Sequence, residues 1–426
     1  MAQSSLSLED LDVQQRAAVA AICTYAIAII TGGPGTGKTF TLRAALEILD
    51  AEWQSGGRPG FADQPYVLCA PTGKAAKRME ESTGRSASTI HRLLAYKPGL
   101  GFTYNKRNPL QCAVVIVDEA SMLDIELAAA LTNALSSHTR LILVGDVNQL
   151  PPVGPGQPFA DLIACNRVPT VRLQTLHRSA AEAWISTSAP LVLQGTMPPL
   201  DKRPDFEFVR VRSVASVLQS VRKVMASSEM QLNAQVLIPM REGNAGTNEA
   251  NIVLQAVLNA RDAEDSRGEP TVTRDRHHIR VGDRVIQTRN NYDLSVFNGE
   301  IGDVEEITTA EVVVQFAQAR VTYQRSRGDE QALELAYALT VHKSQGSEFP
   351  WVVVVVHSTH TIMLNRRLFY TAITRAKQGV ILVGDDLGLE RALGTGFTKT
   401  RHTTLVERLH GTLDPITEPP TSTSEA

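Results

Sequence analysis

The residues best able to do chemistry lie in two short stretches. "GGPGTGKT", Gly32 to Thr39, has the spacing G-x-x-x-x-G-K-[ST], and "VVIVDEAS" delivers an acidic pair, Asp118 and Glu119. The first is a phosphate cradle. Gly32, Gly33, Pro34, Gly35, Thr36 and Gly37 let backbone N–H groups wrap oxyanions, and the N-terminus of a following helix adds positive potential. Lys38 reaches terminal phosphates, and Thr39 offers a hydroxyl to Mg²⁺. The acidic pair supplies what hydrolysis still needs. Asp118 would hold Mg²⁺ through water, and Glu119 would orient and deprotonate the attacking water. Together they predict an ATP hydrolase with ATP and Mg²⁺ as its cofactors.

Such residues must be delivered by buried elements. Apolar runs recur along the chain: "YAIAII", "YVLCA", "AVVIVD", "LILVG", "QVLIP", "WVVVVV" and "GVILVG". Most lack polar alternation, as strands covered on both faces of a parallel sheet do. Helical patterns separate many of them, so the fold class is α/β. The phosphate loop follows the first run and precedes the helical "FTLRAALEIL". The acidic pair ends the third run, at the carboxyl edge where α/β sheets bind ligands. "LILVGD" at Leu141 recurs as "VILVGD" at Val380, either from two related domains or by coincidence.

Length and composition bound the rest. A chain of 426 residues, 43% hydrophobic and 20% charged, has the balance of a soluble protein of two or three domains. The net charge of −3 advertises no general affinity for nucleic acid, so any such site must come from local clustering. Cys23, Cys69, Cys112 and Cys165 make no CxxC pair, which argues against a metal or disulfide framework and suits a reducing cytoplasm. The apolar run Ala17 to Ile30 is too short to span a bilayer and reads as a helix end followed by a strand. No export signal and no membrane partner are expected, and the location expected is cytoplasmic. Between Thr271 and Gln331 the texture changes to short strands and turns, a β-rich insert. The tail, 411–426, has little to bury and is expected to be disordered.

Further motifs suggest what hydrolysis drives. In "LILVGDVNQLPPVGPG" a single glutamine, Gln149, sits in a turn stiffened by Pro151 and Pro152. "LDVQQRAAV" offers Gln15 as an adenine reader. "APTGKAAKRM" sets Lys74, Lys77 and Arg78 at i, i+3 and i+4, one helical face that is either a cradle for nucleic-acid phosphates or an ordinary solvated surface. "STIHRLL" with His91, "TLHRS" with Arg178, "ALTVHKSQGSEF" and "LFYTAITRAKQGVILVG" with Arg375 follow in order.

This ordered set resembles the superfamily-one helicases, in particular the RecD-like and Dda-like branch that translocates 5′ to 3′. The resemblance runs from about Leu11 to Gly384 and is to the helicase core, without the extra N-terminal domains of longer relatives. It implies two RecA-like P-loop NTPase domains, with a β-hairpin insert in the first and an SH3-like β insert in the second. The first domain would be 1–165, the second 166–270 with 332–410, and the insert 271–331. Gln149 would sense the γ-phosphate, Arg178 and Arg375 would reach it from the second domain, and Gly346 and Glu348 would lie near the γ-phosphate and ribose. DNA contacts implied are Thr72, Lys74 and His91 on the first domain and Thr340, His342, Lys343 and Ser344 on the second. His342 reads equally well as a structural histidine. A strand-separating pin would occupy about 95–111, with Phe102 at its tip. The function implied is a monomeric ATP-dependent DNA helicase acting on single-stranded DNA and on single-strand/duplex junctions. Two other readings are a degenerate fold that only holds single-stranded DNA and a translocase that strips proteins or acts on RNA. The full set of motif residues opposes the first of these.

Overall fold

Apolar runs without polar alternation demand cover on both sheet faces, and the chain answers with two parallel sheets. A computed structural model describes residues 8–56, 63–97, 99–175, 183–260, 271–274, 277–317, 319–394, 401 and 403–411. In chain order the strands begin with β1 (Ile27–Gly32), β2 (Gln64–Ala70) and β3 (Ala87–Thr89). A small hairpin, β4 (Tyr96–Lys97) and β5 (Gly101–Phe102), precedes β6 (Cys112–Val117), β7 (Arg140–Gly145) and β8 (Thr170–Leu173). Hairpin apart, these make one parallel sheet in the order β3-β2-β6-β7-β1-β8. The first sheet therefore extends past the boundary expected at residue 165, because β8 pairs with β1 from Ile29↔Thr170 to Gly32↔Leu173.

Three helices matter most for the site. α1 (Val13–Thr24) precedes β1, α2 (Lys38–Gln54) follows it, and α3 (Gly73–Thr83) follows β2. Ile22, Leu42 and Leu46 pack with Val114 and Ile116 of β6 to seal one sheet face. Full burial of each such side chain contributes about 1.5–3 kcal/mol. Thr72 starts α3 by accepting the Ala75 N–H at 3.3 Å, and Gly84 ends it in the left-handed conformation that glycine tolerates best.

The second sheet begins with β9 (Phe206–Arg210) and β10 (Ala234–Ile238) and is interrupted by the insert. There the hairpin β11 (Val272–Arg274) and β12 (His277–Ile279) precedes β13 (Arg284–Gln287), β14 (Ile301–Ile307), β15 (Glu311–Phe316), β16 (Arg320–Gln324) and β17 (Leu333–Leu335). The last five form an antiparallel sheet, β16-β15-β14-β13-β17. Since β17 pairs with β13, the insert reaches 335 rather than 331. β18 (Ala338–Thr340), β19 (Phe349–Val356) and β20 (Ala376–Gly384) then complete the parallel order β18-β10-β19-β20-β9. The repeated "LVGD" closes β7 in one sheet and β20 in the other, and each strand lies between two parallel neighbours.

One segment departs from the expected division. Residues 401 and 403–410, read as part of the second domain, dock on the first. Thr403 donates to Asp161 at 2.7 Å, Arg167 donates to the Leu409 carbonyl at 2.8 Å, and the His410 ring bonds the Cys165 carbonyl at 2.9 Å. Of the tail expected to be disordered, residues 412–426 lie outside the described residues.

Candidate nucleotide site and interdomain groove

β1 ends at Gly32 and α2 begins at Lys38, so the loop between them points its N–H groups to one spot. Gly35 and Gly37 make that turn with φ of +76° and +80°. Among the described residues no side chain caps α2, so its first N–H groups remain for a ligand. Lys38 Nζ folds back over the loop, donating to the Gly32 and Gly33 carbonyls at 2.7 and 2.9 Å, and Thr36 donates to Gly33 at 2.8 Å. Thr39 is the second residue of α2.

β6 brings Asp118 and Glu119 alongside. The Asp118 carboxylate accepts the Glu119 N–H at 2.8 Å, and Glu119 holds a left-handed φ of +50°, unusual outside glycine. Burial, with the Glu119 charge beside it, pushes the Asp118 carboxyl up to about 6, while Lys38 and Arg78 pull it down. A carboxylate, a hydroxyl, an ammonium and free helix N–H groups at one strand edge are a donor set that fits ATP and Mg²⁺.

Beside this loop opens a cleft of about 410 Å³ with walls from both domains. Thr31 to Pro34, Asn148, Arg172 and Gln174 come from the first; Ile185, Ala189, Pro190, Leu193, Tyr370 and Thr374 come from the second. Gln15 is not among the lining residues. Its side-chain Oε1 accepts the Asp12 N–H at 3.1 Å while its backbone N–H donates to the Asp12 carboxylate at 2.7 Å, the box that starts α1. Its neighbour Gln14 instead accepts the N–H of cleft-lining Gln174 at 2.7 Å. Two more residues belong here that sequence reasoning did not single out. Asp146, 1% exposed, accepts the Tyr370 hydroxyl at 2.8 Å, and a Cβ at Gly33 would lie 3.2 Å from that same hydroxyl. "LFYTAITRAK" carries the signal for Tyr370, and the acid closing "LILVGD" carries it for Asp146.

The turn after β7 faces the second domain. Leu150 N–H donates to Thr371 at 3.0 Å, and Gln345 donates to the Leu150 carbonyl at 3.4 Å. Gln149 is 5% exposed, and its Oε1 finds no partner among the described residues. Arg375, 2% exposed, donates to the Thr371 carbonyl at 3.3 Å and to the Ser347 carbonyl at 3.1 Å. Arg178 lies outside the described residues.

Two of the three cations on the basic face of α3 are paired with acids from the rest of the chain. Lys77 pairs with Glu300 of the insert at 3.2 Å, and Arg78 pairs with Glu348 at 2.6 Å. Glu348 also takes Lys377 at 3.3 Å, so its carboxylate is engaged by two cations instead of standing open toward a ribose. Gly346, at φ +71°, lies against Ala75 and Thr72, where a Cβ would be 3.6 Å from the Ala75 methyl. Lys74 sits 5.7 Å from the Phe349 ring centroid. Burial, with Arg375 and Arg78 adding, drives its ammonium down to about 8 against the pull of Glu300. These residues wall a groove of about 680 Å³ between α3, the insert and the second domain.

Thr340 and Lys343 line a smaller pocket with Arg241, Asn248 and His277. Thr340 Oγ1 accepts the Lys343 N–H at 3.3 Å, and Lys343 Nζ pairs with Glu334 at 2.7 Å. Ser344 turns inward, fully buried and donating to the Val341 carbonyl at 2.8 Å, so its hydroxyl does not face that pocket. Burial lowers the His342 pKa and favours the neutral ring. The pin is shorter than expected, β4 and β5 spanning only 96–102. Phe102 is not its tip. It lies at the base, 5.0 Å from Tyr96 and 5.8 Å from His91 between ring centroids, whereas Leu100 in the turn is 83% exposed.

Three segments match known families. Residues 15–155 match the AAA domain, 251–316 the ATP-dependent RecD-like DNA helicase SH3 domain, and 335–383 the UvrD-like helicase C-terminal domain. The chain is 36% identical over 401 residues to the ATP-dependent RecD2 DNA helicase of Deinococcus radiodurans, covering 94% of this chain and 52% of that one. It therefore spans about half the length of that relative. It is 33% identical over 425 residues to the RecBCD enzyme subunit RecD of Mycobacterium tuberculosis, covering 90% of this chain and 70% of that one. In fold it is similar to a Pif1 helicase solved at forked duplex DNA, with a TM-score of 0.54, 18% identity and coverage of 87% and 92%. Pif1 helicase from Candida albicans gives 0.50, 17%, and coverage of 94% and 98%. With the phosphate loop, the acidic pair and an SH3-like insert in place on two parallel sheets, the chain belongs to the RecD-like family of superfamily-one DNA helicases.

Proposed function

We propose that this chain is an ATP-driven motor that moves 5′ to 3′ along single-stranded DNA and parts the duplex ahead of it, as a monomer in the cytoplasm. The observation that carries this reading is the two-domain wall of the nucleotide cleft, where Gly33 and Asp146 of one domain meet Tyr370 of the other. ATP with Mg²⁺ supplies an energetic phosphoryl transfer to water when bound. Lys38 and the loop N–H groups would hold the phosphates, Thr39 and Asp118 the cation, and Glu119 would take the proton of the attacking water. Gln149 and Arg375 would report phosphate occupancy to the second domain. When that contact is lost the domains separate, and nucleic-acid contacts at Thr72 and Lys74 move relative to those at Thr340 and Lys343. Described residues include no helix long and apolar enough to cross a membrane.

The test is ATP hydrolysis by the full chain alone, with single-stranded DNA and with RNA of the same length. Strong stimulation by DNA, abolished in Lys38→Ala, is expected. No hydrolysis under saturating DNA would favour a protein that merely holds the strand.

A further inference from the structure

The turn that carries Gln149 must find donors for a series of inward carbonyls, yet Pro151, Pro152 and Pro155 contribute no N–H of their own. Leu150 O is served from the second domain by Gln345 at 3.4 Å. Pro155 O is served from the first by the Ile125 N–H at 2.9 Å. The carbonyls of Pro152, Gly154 and Gly156 all converge on a single guanidinium. Arg401 Nη1 donates to Gly154 and, at 2.7 Å, to Gly156, while Nη2 donates to Pro152. A planar, permanently charged fork suits this task, since it holds several acceptors at fixed angles with little freedom of its own. The turn also packs tightly against Asp124 and Ile125 of the first domain. A Cβ at Gly154 would come 2.2 Å from the Asp124 carboxylate, and Gly156 adopts φ +75°. Arg401 is itself anchored nearby, because Thr403 binds Asp161 of the first domain.

We propose that Arg401 is a positioning residue for coupling. It stiffens the 152–156 turn, so that a displacement at Gln149 is passed to Thr371 and Gln345 rather than absorbed by the turn. The proposal rests on the motor reading, but its physical core, a turn held by Arg401, can be measured without nucleotide.

The experiment compares the full-length protein with Arg401→Ala, Arg401→Lys and Thr403→Val. Amide exchange of Ile125, whose N–H is held at 2.9 Å by the Pro155 carbonyl of the turn, is expected to quicken about tenfold without nucleotide in Arg401→Ala, the local opening that loss of the Arg401 bonds implies. Hydrolysis without DNA should be unchanged, while stimulation by single-stranded DNA falls about fivefold. Arg401→Lys keeps the charge without the fork and should fold normally with intermediate values. Thr403→Val loosens the anchor alone and should leave stimulation near wild type. Unchanged exchange and stimulation in Arg401→Ala would overturn the proposal. So would full reproduction of both effects by Thr403→Val, which would make Arg401 an ordinary docking contact. If the wild type shows no stimulation by DNA, the motor reading fails, and the exchange result still judges whether Arg401 holds the turn.

Discussion

The Tyr370 hydroxyl of the second domain donates to the Asp146 carboxylate of the first across 2.8 Å. Asp146 also accepts the Asn148 N–H at 3.0 Å, and burial raises its carboxyl above the usual range. The next residue on the same helix, Thr371, accepts the Leu150 N–H at 3.0 Å. Two adjacent residues of the second domain thus grip the turn before and after Gln149. Movement of one domain against the other must strain or break these bonds.

Tyr370→Phe removes one hydroxyl and keeps the ring that walls the cleft. A hydrogen bond to a charged group contributes about 1.5–3 kcal/mol, so kcat of DNA-stimulated hydrolysis is expected to fall about tenfold or more, with a smaller change in KM for ATP. Steady-state kinetics with single-stranded DNA check this, and an unchanged kcat would show that the contact is only structural.

Gln149→Ala should bind ATP normally yet lose DNA-stimulated turnover and unwinding, because it removes a buried side-chain amide whose N–H can donate to a phosphate oxygen. Fluorescent-nucleotide binding and unwinding, measured on the same preparation, separate the two steps. Full unwinding by this variant would remove Gln149 from coupling.

Asp118 links hydrolysis to stability. Its folded carboxyl is raised to about 6 by burial and Glu119, against about 4 in an unfolded chain. The folded state therefore holds a proton that the unfolded state has lost, and this contribution fades as pH rises through 6. Above that, the buried charge works against folding. Asp118→Asn should melt higher than wild type near neutral pH, with the gain shrinking as pH falls from about 6 toward 4, and it should not hydrolyse ATP. Melting curves across this range test the sign. A variant that melts lower at neutral pH would contradict it.

Lys74 carries a second pH signature. Burial first, then Arg375 and Arg78, bring its ammonium down to about 8. If that charge meets a DNA phosphate, affinity for single-stranded DNA should drop about fivefold as pH rises from near 7 to near 9. Lys74→Arg should flatten the profile, because a guanidinium stays charged throughout. Anisotropy titrations of labelled DNA give the curve, and a dependence unaltered in Lys74→Arg would assign it to another group.

How much of this was legible in the sequence follows from how local each feature is. The phosphate loop and the acidic pair are contiguous motifs ending apolar strands, so residue type and spacing identify them directly. The spacing of Lys74, Lys77 and Arg78 placed them on one face of α3 but carried no information on what faces them. Glu300 and Glu348, which do, are more than 200 positions away. β8 was missed because "TVRL" is short and only partly buried, and its place depends on pairing with β1. Phe102 was mistaken for a tip because aromatics suit both ends of a hairpin. The tight turn at Gly99 and tilted ring contacts with His91 and Tyr96 decide the matter. Arg401 follows Lys399 in a polar stretch that marks neither cation out, and only the converging carbonyls give it meaning.

Unwinding of matched duplexes bearing either a 5′ or a 3′ single-stranded tail, with ATP hydrolysis followed in parallel, is the most direct test of the motor. A cleft closed between two domains on a strand tracked 5′ to 3′ predicts ATP-dependent opening of the 5′-tailed duplex and none by Lys38→Ala. Preferential opening of the 3′-tailed duplex, or hydrolysis with neither duplex opened, would contradict it.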